Sequence, residues 1–189
     1  MKKATLLTIC LLLIVSSLIG CGKETYQIRF VSDDAVIETI EVQDGDLIED
    51  YPLAPPKSGF DFVGWYANGE AWDLNFNTVS SNLTLTAKWK LDLYDMFSNY
   101  SSLIGATLAS DGSYLELDTN PYDFDDFSMA SILSRIEEAN TKLGFSDALY
   151  RKMINTSALQ GRQHDENDIV TVEWTYHPDN GLEVIYTAK

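Results

Sequence analysis

The spacing of apolar residues divides the chain into three stretches with different periodicities. The first is an apolar run without charged residues over positions 4–19, which follows two lysines. Over residues 26–90, apolar and polar residues alternate in short runs, which is typical of β-strands with one buried face. Over residues 91–189, runs with helical spacing are mixed with alternating runs. The pattern therefore predicts an N-terminal segment followed by two small domains of different kinds.

The first domain, residues 26–90, is predicted to be a small β module. Ser32–Asp34 has turn residues and separates the first two predicted strands. Three prolines between residues 52 and 56 indicate an irregular connection, because proline cannot donate to a strand ladder. The predicted strands are 26–31, 36–42, 60–66 and 83–89.

This domain is rich in aromatic residues, with ten of them within residues 26–90. A domain of this size buries only about 60% of the surface of its unfolded chain, so its core is small. Large rings fill such a core without disulfides. We expect the aromatic core to consist of Phe60, Phe62, Trp65, Trp72, Phe76 and Trp89.

Three segments of this domain carry a family resemblance. They read KSGFDFVGWY from Lys57, WDLNF from Trp72 and LTLTAKW from Leu83. In this order they resemble the Listeria–Bacteroides repeat, also called the internalin B-repeat. The resemblance implies a compact β-grasp-like module of the kind found on bacterial surfaces.

The second domain, residues 91–189, is predicted to combine helices with hairpins. Helical spacing is found over 93–104, and Ser128 and Ser146 are suitable N-caps for two further helices. Residues 161–168 are predicted to form a polar loop. The predicted strands are 106–109, 113–117, 169–176 and 182–186.

This order of elements predicts the fold class of the whole chain. Helices between two hairpins favour helices packed on an antiparallel sheet, so the chain is expected to be α+β. A β-grasp-like module would come first and an α+β layer domain second. Residues 91–189 also resemble uncharacterised tail domains of surface proteins of Gram-positive bacteria, and this resemblance adds no site.

The N-terminal segment is typical of a secretory signal. Lys2 and Lys3 precede an apolar run that is too short for a stable membrane-spanning helix. The run ends in Leu18-Ile19-Gly20-Cys21, which resembles the lipobox of bacterial lipoproteins. The resemblance implies cleavage after residue 20 and a diacylglyceryl group on Cys21, with residues 21–25 as a short linker. The alternatives are an ordinary signal peptide with an incidental cysteine, or an uncleaved anchor.

Charge and composition restrict the possible partners. The 189 residues include 13 Lys and Arg against 29 Asp and Glu, a net charge of −16. A chain this acidic is unsuited to nucleic acid, because binding phosphates requires a basic surface. Two cysteines, Cys10 and Cys21, are too few for a disulfide scaffold or a Cys-rich zinc site. The sequence predicts an extracytoplasmic protein held to the bacterial cell membrane by the lipid on Cys21.

One acidic run has the composition of a weak calcium site. Carboxylate and amide oxygens are the ligands that Ca²⁺ prefers, and five of them occur within nine residues. The run lacks the glycine and the terminal glutamate of an EF-hand loop. The alternative is a polar loop that leads into a helix. The candidate ligands are Asp118, Asn120, Asp123, Asp125 and Asp126.

Other chemistry is weakly indicated. His164 and His177 are the two histidines, and their spacing does not match a helical zinc motif. The sequence contains no G-x-S-x-G, P-loop, H-E-x-x-H or S-x-x-K motif. We therefore expect no enzymatic activity and no cofactor.

Two functions are compatible with these features. The first is a non-catalytic, lipid-anchored surface protein that acts as a binding or spacer module and presents its C-terminal domain to an extracellular or envelope protein or glycan. The second is an accessory or enzymatic lipoprotein whose C-terminal domain binds a small ligand or a metal such as calcium or zinc. A concave pocket with convergent polar groups would favour the second.

Overall fold

The structure is a computed structural model that describes residues 22–124 and 128–189. The predicted signal segment 1–20 and the lipidation site Cys21 lie outside the described residues. The described chain forms two compact units. One unit takes in the residues up to Leu53 together with Trp65–Thr86, and the other combines Ala54–Gly64 with Ala87–Lys189.

The first sheet contains the four strands predicted for the N-terminal domain and one short additional strand. Its strand order is β2-β1-β5-β3-β4, with β1 antiparallel to β2 and parallel to β5. The sheet is therefore mixed, and the finer assignment as β-grasp-like stays a prediction. Its strands are β1 (Thr25–Ser32), β2 (Ala35–Gln43), β3 (Phe60–Ala67), β4 (Glu70–Ala71) and β5 (Leu83–Leu91).

The turn between β1 and β2 follows from its two aspartates. Asp33 and Asp34 have φ values of 46° and 64°, so both lie in the left-handed region. A two-residue turn with both residues at positive φ matches the twist of an antiparallel pair, and aspartate tolerates this conformation better than most residues. The local sequence therefore determines where β2 begins.

The core of the first unit is formed by apolar side chains from β1, β3 and β5, together with Ile48 and Val79 outside the strands. The rings of Phe30 and Trp65 meet edge to face, with centroids 4.9 Å apart. Such pairs add about 0.5–1.5 kcal/mol beyond the area they bury. The buried apolar residues of this unit are Ile28, Phe30, Ile48, Trp65, Ala67, Val79 and Leu85.

Two residues of the predicted aromatic core lie at the surface instead. Phe76 is 80% exposed. It lies in a turn in which the N–H groups of Phe76 and Asn77 both donate to the Asp73 carbonyl. Phe62 is 43% exposed. It lies three positions before Trp65 in β3, and alternation along a strand directs the two side chains to opposite faces. Phe60, Trp72 and Trp89, the remaining members of that list, are partly buried.

The second sheet is antiparallel throughout and has the strand order β6-β7-β10-β9-β8. Three helices accompany it, together with short 3₁₀ turns at Ser98–Tyr100 and Ala158–Gln160. The strands are β6 (Ala106–Leu108), β7 (Tyr114–Asp118), β8 (Gln163–Glu166), β9 (Val170–His177) and β10 (Gly181–Ala188). The helices are α1 (Leu93–Met96), α2 (Ala130–Lys142) and α3 (Asp147–Ile154).

Helices and strands of the second unit share one hydrophobic cluster. Every second residue of the central strands is buried in it, together with the apolar sides of α2 and α3. The chain is thus built from two mostly antiparallel sheets with few helices, as expected for an α+β protein. The cluster includes Leu115, Leu117, Ile132, Ile136, Leu149, Met153, Val172, Trp174, Val184 and Tyr186.

The helix predicted over residues 93–104 is too long: the structure has a helix only over Leu93–Met96. The carboxylate of Asp92 caps α1 by accepting hydrogen bonds from the N–H groups of Tyr94 and Asp95. The helix ends after four residues, and a 3₁₀ turn buries Tyr100. Serine and asparagine favour turns over helix interiors, and the segment after Phe97 is rich in both.

Two further expectations are corrected. Helix α2 begins at Ala130 with Met129 as its N-cap, not Ser128, and the Met129 N–H donates to the carbonyl of Thr119 at 2.7 Å. The predicted loop 161–168 contains strand β8, which pairs with β9. An edge strand needs only backbone partners, so its polar sequence shows no apolar alternation.

Among the described residues, no helix combines the length and apolar character needed to cross a membrane.

Candidate functional site

The side of the second sheet opposite the helices has a different character from the core side. Alternation places one set of strand residues against α2 and α3, so the other set points away from the helices. These side chains are half-buried or exposed. We call this surface the open face, and its central residues are Glu116, Asp118, Glu173, Glu183, Ile185 and Thr187.

Strand register gathers three carboxylates of β7 and β10 on the open face. Glu183 of β10 lies directly opposite Asp118 of β7, and Ile185 lies directly opposite Glu116. Residues paired in this way have Cβ atoms about 4.5–5.5 Å apart. A shallow groove of about 370 Å³ runs beside them, lined by Glu116 and Ile185 together with Ser113, Tyr114 and Thr187.

The environment of Glu116 and Asp118 opposes their ionisation. Burial raises the pKa of Glu116, and the nearby charges of Glu183 and Asp118 raise it further. Burial also raises the pKa of Asp118, although a hydrogen bond from the Asn120 N–H acts in the opposite direction. None of the ion pairs between the described residues involves Glu116, Asp118 or Glu183. This part of the open face therefore favours a positively charged neighbour.

The edge of the same sheet, at β8, has compensated charges. Arg162 Nη1 lies 3.2 Å from Glu173 Oε2, and Lys189 Nζ lies 2.9 Å from Glu166 Oε2. Both pairs are solvent-exposed, and each contributes at most about 1 kcal/mol to stability. Within the part of the chain that the structure describes, the open-face carboxylates without an ion pair are therefore those of β7 and β10.

We expect Glu116→Gln to stabilise the protein at pH 7 by about 0.5 kcal/mol, since like charges on neighbouring strands repel. Because the folded pKa is raised, the folded state releases the proton at a higher pH than the unfolded state does. The contribution of Glu116 to the free energy of unfolding should accordingly fall as pH rises from about 4.3, the ordinary glutamate value, through the raised folded pKa.

Urea unfolding between pH 4 and pH 8 tests this expectation. The gain from Glu116→Gln should be absent at the acidic end of the range and complete above the folded pKa. Glu137→Gln on the exposed side of α2 is the matched control. An equal gain in both variants would refute the assignment to the open face.

The structure gives the predicted calcium ligands other partners. Asn120 is fully buried, and its side-chain N–H groups donate to the carbonyls of Phe124 (2.8 Å) and Asp179 (2.6 Å). Its amide oxygen accepts from the N–H of Phe124 at 3.2 Å. Asp123 Oδ1 accepts from the side chain of Asn180 at 2.7 Å. These bonds fasten the acidic run to the turn between β9 and β10.

Two of the five predicted ligands, Asp125 and Asp126, lie outside the described residues. Asp118 uses one carboxylate oxygen to accept the Asn120 N–H at 2.8 Å. Calcium binding by this run stays a prediction. The structure assigns Asn120 a role in holding the loop.

The two histidines are not brought together. His164 lies on β8 opposite Glu173, and His177 ends β9 four residues farther along that strand. At about 3.3 Å per residue, this separation is about 13 Å. His177 Nδ1 accepts the N–H of Asp179 at 3.2 Å. In residues 22–124 and 128–189, no three His, Cys, Asp or Glu side chains are grouped in a way that could hold a metal ion.

Sequence reasoning did not identify the open face. Its carboxylates without an ion pair among the described residues come from β7 and β10, which are more than sixty residues apart in the chain. The available signal was an acidic residue at every second position next to buried leucines, at Glu116 and Asp118. That signal indicates an exposed strand face, but the partner strand is needed to place Glu183 beside it.

Comparison with known proteins bears on the first sheet. Residues 26–88 match the Listeria-Bacteroides repeat domain family. This match confirms the resemblance of the N-terminal module to that repeat.

Two relatives come from Evansella cellulosilytica. A protein named "Putative Gly-rich membrane protein" is 30% identical over 138 residues, covering 67% of this chain and 16% of that protein. A second, named "Putative membrane protein", is 33% identical over 94 residues, covering 47% of this chain and 14% of that protein. The chain thus spans less than a fifth of the length of either relative.

Proposed function

We propose that this chain is a lipid-anchored protein of the bacterial cell envelope that acts as a non-catalytic binding module and presents its C-terminal unit to a protein partner. The observation that carries the anchoring is the apolar run after Lys2 and Lys3 that ends in Leu18-Ile19-Gly20-Cys21. The repeat domain and the membrane-protein names of the two relatives support the same location.

The net charge of the protein favours the lipid on Cys21 as its means of attachment to the membrane. With a net charge of −16, the chain as a whole is repelled by anionic lipids and not held by them. One acyl chain binds membranes only marginally, and two chains give stable anchoring. A diacylglyceryl group on Cys21 supplies two.

The open face supports the binding role. It combines the half-buried Ile185 with the carboxylates of Glu116, Asp118 and Glu183 beside a shallow groove. Sites for small molecules are usually concave and enclose most of the ligand, whereas a broad exposed surface suits a protein partner. We infer that the second unit contacts its partner through this face.

Metabolic labelling with an alkyne fatty acid in a bacterial host tests the anchoring directly. The wild type should carry the label and remain in the membrane fraction. Cys21→Ser should lose the label completely, because the acceptor thiol is gone, and should keep the mass of the unprocessed precursor.

Cys10→Ser provides the matched control, since it removes the other thiol of the chain while keeping Cys21. It should be labelled and processed like the wild type. Labelling of the Cys21→Ser variant, or a wild type that is unlabelled and retains residues 1–20, would contradict lipid anchoring.

A further inference from the structure

Strand β2 of the first sheet has a long free edge. It covers nine residues, Ala35–Gln43, and stands at the end of the strand order with β1 as its neighbour. Among the described residues, no strand pairs with its other side. On an edge strand, half of the backbone N–H and C=O groups point away from the sheet, and these groups can pair with another chain.

A groove of about 840 Å³ follows this edge. Four successive residues of β2, Ile40–Gln43, contribute to its lining. Successive side chains of a strand point to opposite faces of the sheet, so a groove that touches all four must run along the edge of the strand. The opposite wall is the segment from Gly45 to Asp50.

That wall is already held in place without a partner. The N–H of Gly45 donates to the carbonyl of Val79 at 2.7 Å, and the N–H of Val79 donates to the carbonyl of Asp46 at 2.9 Å. Ile48 is buried, whereas Leu47 is 37% exposed. The groove therefore has a preformed wall with an accessible apolar side chain, which lowers the entropy lost on binding.

The charges around the groove determine what it can accept. Its lining contains four acidic residues and no lysine or arginine. Lys23 pairs with one of them, Asp46, at 2.6 Å. A second copy of this chain would bring the same acidic edge and be repelled, whereas a basic segment would be attracted. The acidic residues are Glu41, Asp46, Glu49 and Asp50.

We propose that the free edge of β2 binds an extended, Lys/Arg-rich segment of another protein, which adds to the first sheet as a further strand. Backbone hydrogen bonds to β2 supply affinity that is independent of side chains. Contacts with Glu41, Glu49 and Asp50 make the groove selective for a segment with basic side chains. This surface is separate from the lipid anchor, so it can be tested whether or not Cys21 is modified.

The test uses the full chain in detergent and three synthetic ten-residue peptides labelled for fluorescence anisotropy. One alternates Lys with Val, one alternates Glu with Val, and one alternates Lys with Pro. The Lys–Val peptide should bind at least tenfold more tightly than either of the others. The Lys–Pro peptide keeps the charge, but proline fixes φ near −65° and favours a polyproline II helix, whose threefold period does not match a strand ladder.

Matched charge reversals locate the site. Glu41→Lys should weaken binding of the Lys–Val peptide about tenfold, and Glu49→Lys gives a second variant outside the strand. Glu137→Lys changes the net charge equally at an exposed position of α2 and should alter binding less than twofold. Bound peptide should also slow hydrogen exchange of alternate amides of β2.

Three results would overturn the proposal. They are equal binding of the Lys–Pro and Lys–Val peptides, equal weakening by Glu41→Lys and Glu137→Lys, and unchanged exchange of the β2 amides at saturating peptide. The first two would show general charge attraction, and the third would place the peptide elsewhere.

Discussion

Replacement of Trp174 by alanine is expected to lower the free energy of unfolding by about 3–5 kcal/mol, the usual loss for a large aromatic residue in a core. The side chain is 1% exposed and is the largest of the fully buried side chains. Its removal would leave a cavity between β9 and the helices that pack on the sheet. Urea or thermal unfolding, monitored by far-ultraviolet circular dichroism, measures the loss.

Trp174 also makes one specific polar contact. Its indole N–H donates to Thr156 Oγ1 at 2.8 Å, and the Thr156 hydroxyl donates in turn to the carbonyl of Lys152 at 2.8 Å. This chain of hydrogen bonds connects the sheet to the last turn of α3. Trp174→Phe keeps most of the ring volume and removes the donor, so it should cost about 1–2 kcal/mol.

Tyr176 is the control on the same strand. It is 37% exposed and lies outside the hydrophobic cluster, so Tyr176→Ala should cost well under about 1 kcal/mol. Equal losses for Trp174→Ala and Tyr176→Ala would show that the core of the second unit does not depend on the tryptophan.

The strands of the first sheet could be predicted because their signals are local. Alternation in Tyr26–Val31 and Leu83–Trp89 follows from one buried face, and the Asp33-Asp34 turn fixes where β2 begins. Burial of individual aromatic residues was harder to predict. Phe76 belongs to a segment with a strong family resemblance, yet its turn directs the ring to solvent.

Strand β8 and the region after α1 show the limits of periodicity. Residues Gln163–Glu166 are all polar, and they form a strand because β9 offers backbone partners along its edge. The residues from Leu93 to Tyr100 have helical spacing, but the same apolar positions are buried by one short helix and a 3₁₀ turn. In both cases the tertiary partner decides the local structure.

The acidic run shows the same limit at the level of function. Its composition points to calcium, and the residue types alone do not distinguish a ligand from a structural amide. The distinction comes from Asp179, whose carbonyl accepts a hydrogen bond from Asn120, 59 residues earlier in the chain. A contact over this sequence distance leaves no trace in local spacing.

Asn120→Ala is therefore expected to destabilise the protein by about 2–4 kcal/mol, because it leaves several buried polar groups without partners. The lost bonds are those to the carbonyls of Phe124 and Asp179 and from the N–H of Phe124. Asn180→Ala removes one exposed hydrogen bond to Asp123 from the same region and should cost less than about 1 kcal/mol.

Thermal unfolding with and without millimolar Ca²⁺ separates the two roles of Asn120. If the amide holds the loop, the loss caused by Asn120→Ala is the same in both conditions. If the amide is a calcium ligand, Ca²⁺ raises the Tm of the wild type by linkage and this gain disappears in the variant. Since both N–H groups of the Asn120 amide donate to backbone carbonyls and its oxygen accepts a backbone N–H, we expect the first result.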